Sequence, residues 1–449
     1  MKAPGAKLRV AVVGAGWAGC AAAVELSLQG HQVHLLEASR TFGGRARGLR
    51  RSPDATASWE DKLDNGQHIL LGAYRETLRL MRTVGVDVDR SLLRLPMQMR
   101  YPAGDNGMDF VAAKLPAPLH LALALWRATG LARADKVALA RFTTAARWID
   151  WRLNADCSVT QLLLQVDQTE RLVALLWRPL CIAALNTPPE RASAQIFLNV
   201  LRDSLGARRA ASDMLVPRVD LGALFPDQAA RFLTQRGADV RLAVRVTTLN
   251  RQADGWQLET SSAEQPPLPV FDRVILATPF AETARLLAGA GQDVSLLHFD
   301  YEPITTCYLQ YGPGLGLALP LYALRDDAER ACWGQFVFDR GQLDIAQAGL
   351  LAVVISASGA AVALAHDVLC SAVTRQLARV FEMPELLQPL RSKIISEKRA
   401  TFSCTPGMVR PGAVTALDGV LLAGDYVAGD YPATIEGAVR SGVQAAANV

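Results

Sequence analysis

The chain has 449 residues, enough for two or three domain-sized units, and half of them are hydrophobic, with a mean hydropathy of +0.15. Its net charge of +4 comes without a long basic run, which excludes a nucleic-acid partner and fits contact with an anionic membrane surface or a large apolar substrate tunnel. Seven cysteines are scattered without a CxxC and six histidines do not cluster, which indicates free thiols in a reducing cytosol, with no metal site and no disulfide frame.

The first element is a strand over Val10–Val13 that runs into Gly14-Ala15-Gly16-Trp17-Ala18-Gly19. A small-residue helix follows, and a second apolar run, His34-Leu35-Leu36, closes with Glu37 and Ala38. This strand, glycine turn, helix, strand and acid predict a dinucleotide site. Gly14 permits the tight turn, Gly16 lets the backbone approach a pyrophosphate, and Gly19 lets the helix pack close to the strand. The pyrophosphate then lies at a helix N-terminus, and Glu37 accepts from ribose hydroxyls. Lys2, Lys7 and Arg9 ahead of the apolar stretch mimic a signal peptide, but cleavage there would remove the glycine loop.

Gly43-Gly44-Arg45-Ala46-Arg47 comes next. It resembles the GGR-x-R extension of the flavoprotein family that includes amine oxidases and phytoene desaturases, which narrows the dinucleotide to FAD. Arg45 and Arg47 offer forked donors for phosphate or flavin oxygens. Ser52 to Asp61 reads as a polar surface loop, and Tyr74 to Val84 as a helix. Leu115 to Leu131 is the most apolar stretch, but Pro116, Pro118 and Arg127 interrupt it, so it reads as a core or interfacial helix rather than a span. Helices are predicted over Lys136–Trp151 and Thr169–Leu185, in a region that holds Trp126, Trp148, Trp151 and Trp177.

A helix over Ala229–Gly237 and a strand over Val240–Leu249 then return to the nucleotide domain, as does Phe271 to Pro279, a buried strand ending at Ala277-Thr278-Pro279. Thr305–Tyr311 and Leu350–Ser356 suggest a mixed sheet walling a substrate site. Gly419 to Asp425 is a last buried strand ending in Gly424-Asp425, and Pro432 to Ala438 opens the final helix. The first N–H groups of that helix, near Thr434, Ile435 and Ala438, are expected at the flavin pyrimidine edge, where they favour the reduced, negatively charged ring. Gly437 would let the ring lie against the backbone.

Three runs sharpen the resemblance: Leu63 to Tyr74, which holds Gly66-Gln67-His68; Arg399 to Gly407; and Ala423-Gly424-Asp425 with Pro432 to Val439. They look like the squalene-associated FAD-dependent desaturase family, also called the hydroxysqualene dehydroxylases of squalene and hopanoid synthesis. The segment Tyr426 to Tyr431 departs from that pattern in its acidic lead-in. The resemblance implies an α/β fold: a Rossmann-like FAD-binding domain of the glutathione-reductase-like, amine oxidase type, with a discontinuous α+β substrate domain and a helical cap. The FAD domain is expected over 1–95, 216–290 and 401–449, and the substrate domain over 96–215 and 291–400. The resemblance also places the Val246 backbone at the adenine and Asp425 at the ribityl chain or pyrophosphate.

The reaction it implies is loss of the hydroxyl of hydroxysqualene and gain of a hydride from reduced FAD, with an apolar C30 isoprenoid as substrate and an unidentified electron donor. The leaving hydroxyl needs a proton donor, for which His68 and Glu436 are the candidates. A histidine carries a proton near neutrality, and burial would raise a glutamate into range. Cys404 has no evident base beside it and reads as a packed thiol. The alternatives are a carotenoid desaturase, an amine oxidase using Tyr426, Tyr431 and Lys393, and a flavin-free prenyl-lipid escort protein. A lipid substrate and an apolar chain predict a cytoplasmic protein with peripheral contact at the inner face of the membrane.

Overall fold

A computed structural model describes residues 7–49, 59–261 and 267–449. The expected loop over Ser52–Asp61 lies mostly outside these residues. β1 (Arg9–Val13) is buried from Val10 onward and ends at Gly14, which adopts φ +104°. A Cβ at Gly14 would stand 2.6 Å from the Ala277 carbonyl oxygen, so only glycine makes this turn. α1 (Trp17–Leu28) follows at once, and Gly19 packs so tightly on the turn that a Cβ there would lie 1.8 Å from the Gly14 oxygen. α1 is almost wholly apolar and is buried apart from Glu25 and Leu28, as such a helix must be.

β2 (Gln32–Leu36), β3 (Asp239–Arg241) and β4 (Arg273–Leu276) join β1 and the strand Val420–Leu422 in one parallel sheet. The order is Val420–Leu422, β4, β1, β2, β3, with Val12 opposite both Leu35 and Ile275. The single strand expected over Val240–Leu249 is broken. Ala243 takes φ +59°, and its N–H and that of Val244 donate to the Ser39 and Glu37 carbonyls at 2.9 and 2.8 Å. The chain then pairs Val246–Gln252 with Gly255–Thr260 as a separate hairpin. Docking of this backbone onto the end of β2 outcompetes strand continuation.

The second sheet is antiparallel and lies between these returns. β5 (Tyr301–Gln310), β6 (Phe336–Asp339), β7 (Leu350–Ser356) and β8 (Arg391–Phe402) take the order β6, β7, β5, β8, with the short strand Leu321–Ala323 outside β6. Leu351, Val353 and Ile355 pack beneath the helix His366–Phe381. The alternate residues of β7, Val354 and Ser356, face the other way, level with Phe336 and Ile304 on the neighbouring strands. β9 (Val420–Leu422) then completes the parallel sheet.

Several further helices build the rest of the molecule. α2 (Arg75–Thr83) lies beside the last helix of the chain. α3 (Leu119–Arg127) is only nine residues long, and no helix among the described residues is long and apolar enough to cross a membrane. α4 (Arg133–Trp148) seats Phe142 against Trp177, with ring centroids 4.2 Å apart. The helix expected over Thr169–Leu185 contains a π segment, Val173–Trp177, before α5 (Arg178–Leu185). α6 (Ile435–Ala447) packs on α1 so closely that a Cβ at Gly442 would lie 2.2 Å from the Ala18 oxygen.

Candidate active site

A cavity of about 630 Å³ runs from the β1–α1 turn, along the edge of the parallel sheet, to the face of the antiparallel sheet that carries Val354 and Ser356. Its first end is made of backbone. Gly14, Gly16, Trp17 and Ala18 line it, and α1 begins there with Gly16 as an N-cap that has no side-chain partner and no acid in the first turn. The uncompensated N–H groups and the helix dipole therefore face the cavity, a fit for a pyrophosphate. Ala15 and Gly19 do not line it. Ala15 N–H donates to Glu37 Oε2 at 2.7 Å, and Gly19 is the packing contact described above.

Glu37 also accepts from Ser39 N–H at 2.8 Å. A carboxylate has about four acceptor positions, so acceptors remain for hydroxyls, with Ala38 and Val246 lining the cavity nearby. Gly43 and Gly44 are held against the turn: Gly43 N–H donates to the Ala15 oxygen at 2.9 Å, and Trp17 Nε1 donates to the Ala46 oxygen at 2.9 Å. Ala46 and Arg47 line the cavity beside them. Arg45 and Asp425, each expected to meet the cofactor separately, pair with each other at 2.5 Å across the cavity wall, and Arg45 also donates to the Ala400 oxygen at 2.9 Å.

Midway, the cavity is lined by Gly66-Gln67-His68, Ala277-Thr278-Pro279, Gly424, Thr434, Ile435 and Ala438. Gly437 is not among them; its N–H donates to Thr434 Oγ1 at 3.0 Å, and a Cβ would meet the Pro432 oxygen at 2.8 Å. His68 Nδ1 lies 2.8 Å from the Gly66 carbonyl oxygen. A carbonyl can only accept, so Nδ1 carries the hydrogen and Nε2 is the free nitrogen of the neutral ring. Burial lowers the His68 pKa, with the bond to Gly66 acting against it.

Glu436 requires a correction. Its side chain is fully buried but lines no part of the cavity. It accepts from the Thr77 N–H at 3.0 Å, the Thr77 hydroxyl at 2.8 Å, the Glu76 N–H at 3.2 Å and Arg440 Nε at 2.7 Å. These four donors tie the carboxylate to the start of α2 and to Arg440. It does not reach the cavity and is not placed to protonate a group there.

Beyond the middle, the wall becomes apolar, with Ile182 of α5, Ile304, Phe336, Phe338 and Val354. The polar exceptions are Asn186, Ser356, Glu397 and Thr401; Ser356 and Thr401 lie in runs already picked out in the sequence, whereas Asn186 and Glu397 do not. Asn186 is locked at φ +47° after α5, donating to Thr401 Oγ1 at 2.9 Å and accepting from Ala357 N–H at 2.6 Å. Arg340 carries no local signal either, and the sequence marks Tyr426 only as one of an amine oxidase's aromatic pair. Arg340 is 2% exposed and donates to Gln67 Oε1 and Gln347 Oε1, both at 2.8 Å, so a buried cation fixes Gln67. Tyr426 lines the cavity, with its hydroxyl 3.0 Å from Thr283 Oγ1, and burial pushes its pKa up.

The residues proposed for an amine oxidase site do not assemble. Tyr431 donates to Asp203 at 2.8 Å beneath Arg440, Lys393 pairs with Glu60 at 3.2 Å, and neither lines the cavity. Cys404 is buried, and burial pushes its thiol up to about 12, so it is an inert packed thiol. All seven cysteines are free, and among the described residues no group of three or more His, Cys, Asp and Glu could hold a metal ion.

A parallel nucleotide-type sheet, a glycine turn at an uncapped first helix and one cavity that reaches from that turn to a second sheet are the architecture of a flavin-dependent oxidoreductase. Residues 17–449 match the flavin containing amine oxidoreductase family, and the chain belongs to it. It is 29% identical to a hydroxysqualene dehydroxylase of Sinorhizobium fredii, over 97% of each chain. It is 25% identical to a zeta-carotene desaturase of Solanum lycopersicum, over 99% of this chain and 81% of that one. An oxidoreductase structure from Methanosarcina mazei superposes with a TM-score of 0.69 at 15% identity, covering 98% of this chain and all of that one, which bears on fold alone.

Proposed function

We propose that this chain is an FAD-dependent hydroxysqualene dehydroxylase, which replaces the hydroxyl of an apolar C30 isoprenoid alcohol by hydrogen to give squalene. The observation that carries this reading is the continuity of one cavity from the glycine turn to an apolar wall of Ile182, Ile304, Phe336, Phe338 and Val354. The full-length similarity to hydroxysqualene dehydroxylases supports it. The division into an FAD domain (1–95, 216–290, 401–449) and a substrate domain (96–215, 291–400) is part of the same proposal.

The α1 N-terminus with Gly14, Gly16, Gly43 and Gly44 would hold the pyrophosphate, Glu37 the ribose, Val246 the adenine through its backbone, and Asp425 with Arg45 the ribityl region. When bound and reduced, the flavin supplies a hydride. The C–O bond breaks, the hydroxyl leaves as water with one proton, and the hydride completes the new C–H bond. The apolar wall holds the chain and keeps water from the electron-poor carbon. His68, the candidate donor that lines the cavity, delivers the proton from Nε2 when the ring is imidazolium. The reductant that restores the flavin is a separate partner, and a lipid substrate brings the protein to the membrane surface.

The test is an anaerobic single turnover. Dithionite-reduced protein is mixed with hydroxysqualene while flavin absorbance is followed and squalene is quantified by mass spectrometry. Flavin reoxidation matched by squalene is the expected result. Reoxidation without squalene, or none at all in flavin-loaded protein, overturns the reading. Flavin reduction when the oxidised protein meets phytoene-like polyenes would instead establish a desaturase. Purified protein without yellow colour would point to a lipid escort.

A further inference from the structure

The cap carries large apolar side chains that nothing in the molecule covers. On α3, Leu119 and Trp126 are 57% and 74% exposed, seven residues apart and so on one face of the helix, opposite the buried His120 and Ala124. On α4, Val137 and Trp148 are 59% and 89% exposed, opposite the buried Leu139, Phe142 and Ala146. Lys136 Nζ donates to the Trp126 carbonyl oxygen at 2.8 Å, so the end of α3 and the start of α4 are tied together. An isolated exposed leucine needs no explanation, but two exposed tryptophans on adjoining helices do.

Charge identifies what covers them. Residues 114–152 hold seven Lys and Arg against two Asp, a net of +5, whereas the whole chain carries +4. The remainder of the chain is therefore close to neutral, and the basic excess is concentrated on this cap. One of the two acids, Asp135, is buried as the N-terminal partner of α4. Arg141 pairs with Asp167 at 2.7 Å, but among the described residues Arg127, Arg133 and Arg147 are exposed and form no ion pair. Tryptophan beside arginine on an amphipathic helix suits the boundary between lipid headgroups and acyl chains. An anionic lipid surface attracts each of these unpaired, exposed cations in addition to taking up the apolar side chains.

We propose that the outward faces of α3 and α4 form the docking surface of this protein on an anionic lipid bilayer. The inner face of α4 seats Phe142 on Trp177, which adjoins α5, and Ile182 of α5 lines the cavity. The docked face is thus connected through Phe142, Trp177 and α5 to the apolar end of the cavity. The docking stands on the exposed face itself and does not depend on which lipid the cavity takes.

The experiment is cosedimentation of the flavin-loaded full-length protein with phosphatidylcholine vesicles, with and without phosphatidylglycerol, at low and high salt. Binding is expected on phosphatidylglycerol vesicles and is expected to weaken with salt. W126S/W148S, whose exposed positions leave folding and the flavin spectrum intact, should lower the partition coefficient at least about tenfold. R133E/R147E should abolish the preference for the anionic lipid, while L390S, at a 72% exposed leucine outside the cap, should change nothing. Absence of binding by the wild type, unchanged binding by W126S/W148S, or an equal loss in L390S would overturn the proposal. So would a W126S/W148S protein that dissociates from dimer to monomer yet binds vesicles as before, because the face would then belong to a second copy.

Discussion

At its nucleotide end the cavity is lined largely by one short stretch, Gly14 with Gly16, Trp17 and Ala18, with Glu37 a helix and a strand later. At its other end it is lined by side chains of one helix and three antiparallel strands, Ile182, Ile304, Phe336, Phe338 and Val354, brought together only by the sheet register. The first end is local and admits few substitutions. The second is long-range, and many apolar residues of similar volume would build it. The two ends should therefore respond differently to substitution, the first losing the cofactor and the second losing the substrate.

The largest effect is expected at the turn. In Gly19→Val the new side chain starts 1.8 Å from a backbone oxygen that cannot move without shifting β1. Overpacking of this kind costs about 3 kcal/mol. The expected outcome is protein with a depressed Tm and no flavin absorbance. A yellow, stable Gly19→Val protein would show that the close packing of α1 on its turn is dispensable.

That end of the cavity was legible because glycine at a forced φ and a buried valine run leave marks in the sequence. Gly14, Gly16, Glu37, Gly43 and Gly44 all follow from such marks. Arg340 and Asn186 do not, because each acts through partners distant in the chain: Gln67 for Arg340 and Thr401 for Asn186. The strand expected over Val240–Leu249 fails for the same reason. Its pattern is apolar, but docking on Ser39 and Glu37 decides its path.

His68 tests whether the junction between the two ends carries the chemistry. Loss of a general acid costs on the order of a hundredfold or more in rate, so His68→Gln should retain flavin and lose turnover on that scale. The pH dependence has a definite sign. Burial lowers the His68 pKa below its usual 6.5. The imidazolium that can give up a proton exists only below that lowered value, so kcat should fall as pH rises through it, and the limb should vanish in His68→Gln. A rate that is flat from pH 5 to neutrality in the wild type would assign the proton to another group, with the neutral Tyr426 hydroxyl next in line.

A smaller effect is expected at the far end. Phe336→Ala removes an aromatic side chain from the wall. Burial of such a side chain is worth about 1.5–3 kcal/mol, so kcat/KM for the C30 alcohol should fall by roughly tenfold or more, with flavin content unchanged. Loss of flavin in this variant would mean that the two ends are not separable and that the contrast between them fails.

The smallest effect on rate, and the most direct check on the middle of the molecule, is Glu436→Gln. The amide keeps one acceptor oxygen but turns an NH2 group toward a set of donors from Glu76, Thr77 and Arg440. A buried donor facing donors costs about 1–3 kcal/mol, so Tm should drop. The pH limb assigned to His68 should stay where it is, and turnover per bound flavin should be close to that of the wild type. If turnover instead fell with Tm unchanged, the carboxylate would be acting on the reaction after all. It would have to do so through α6, because it does not reach the cavity, and its hold on α2 would then serve to aim the Thr434–Ala438 turn rather than to keep the fold together.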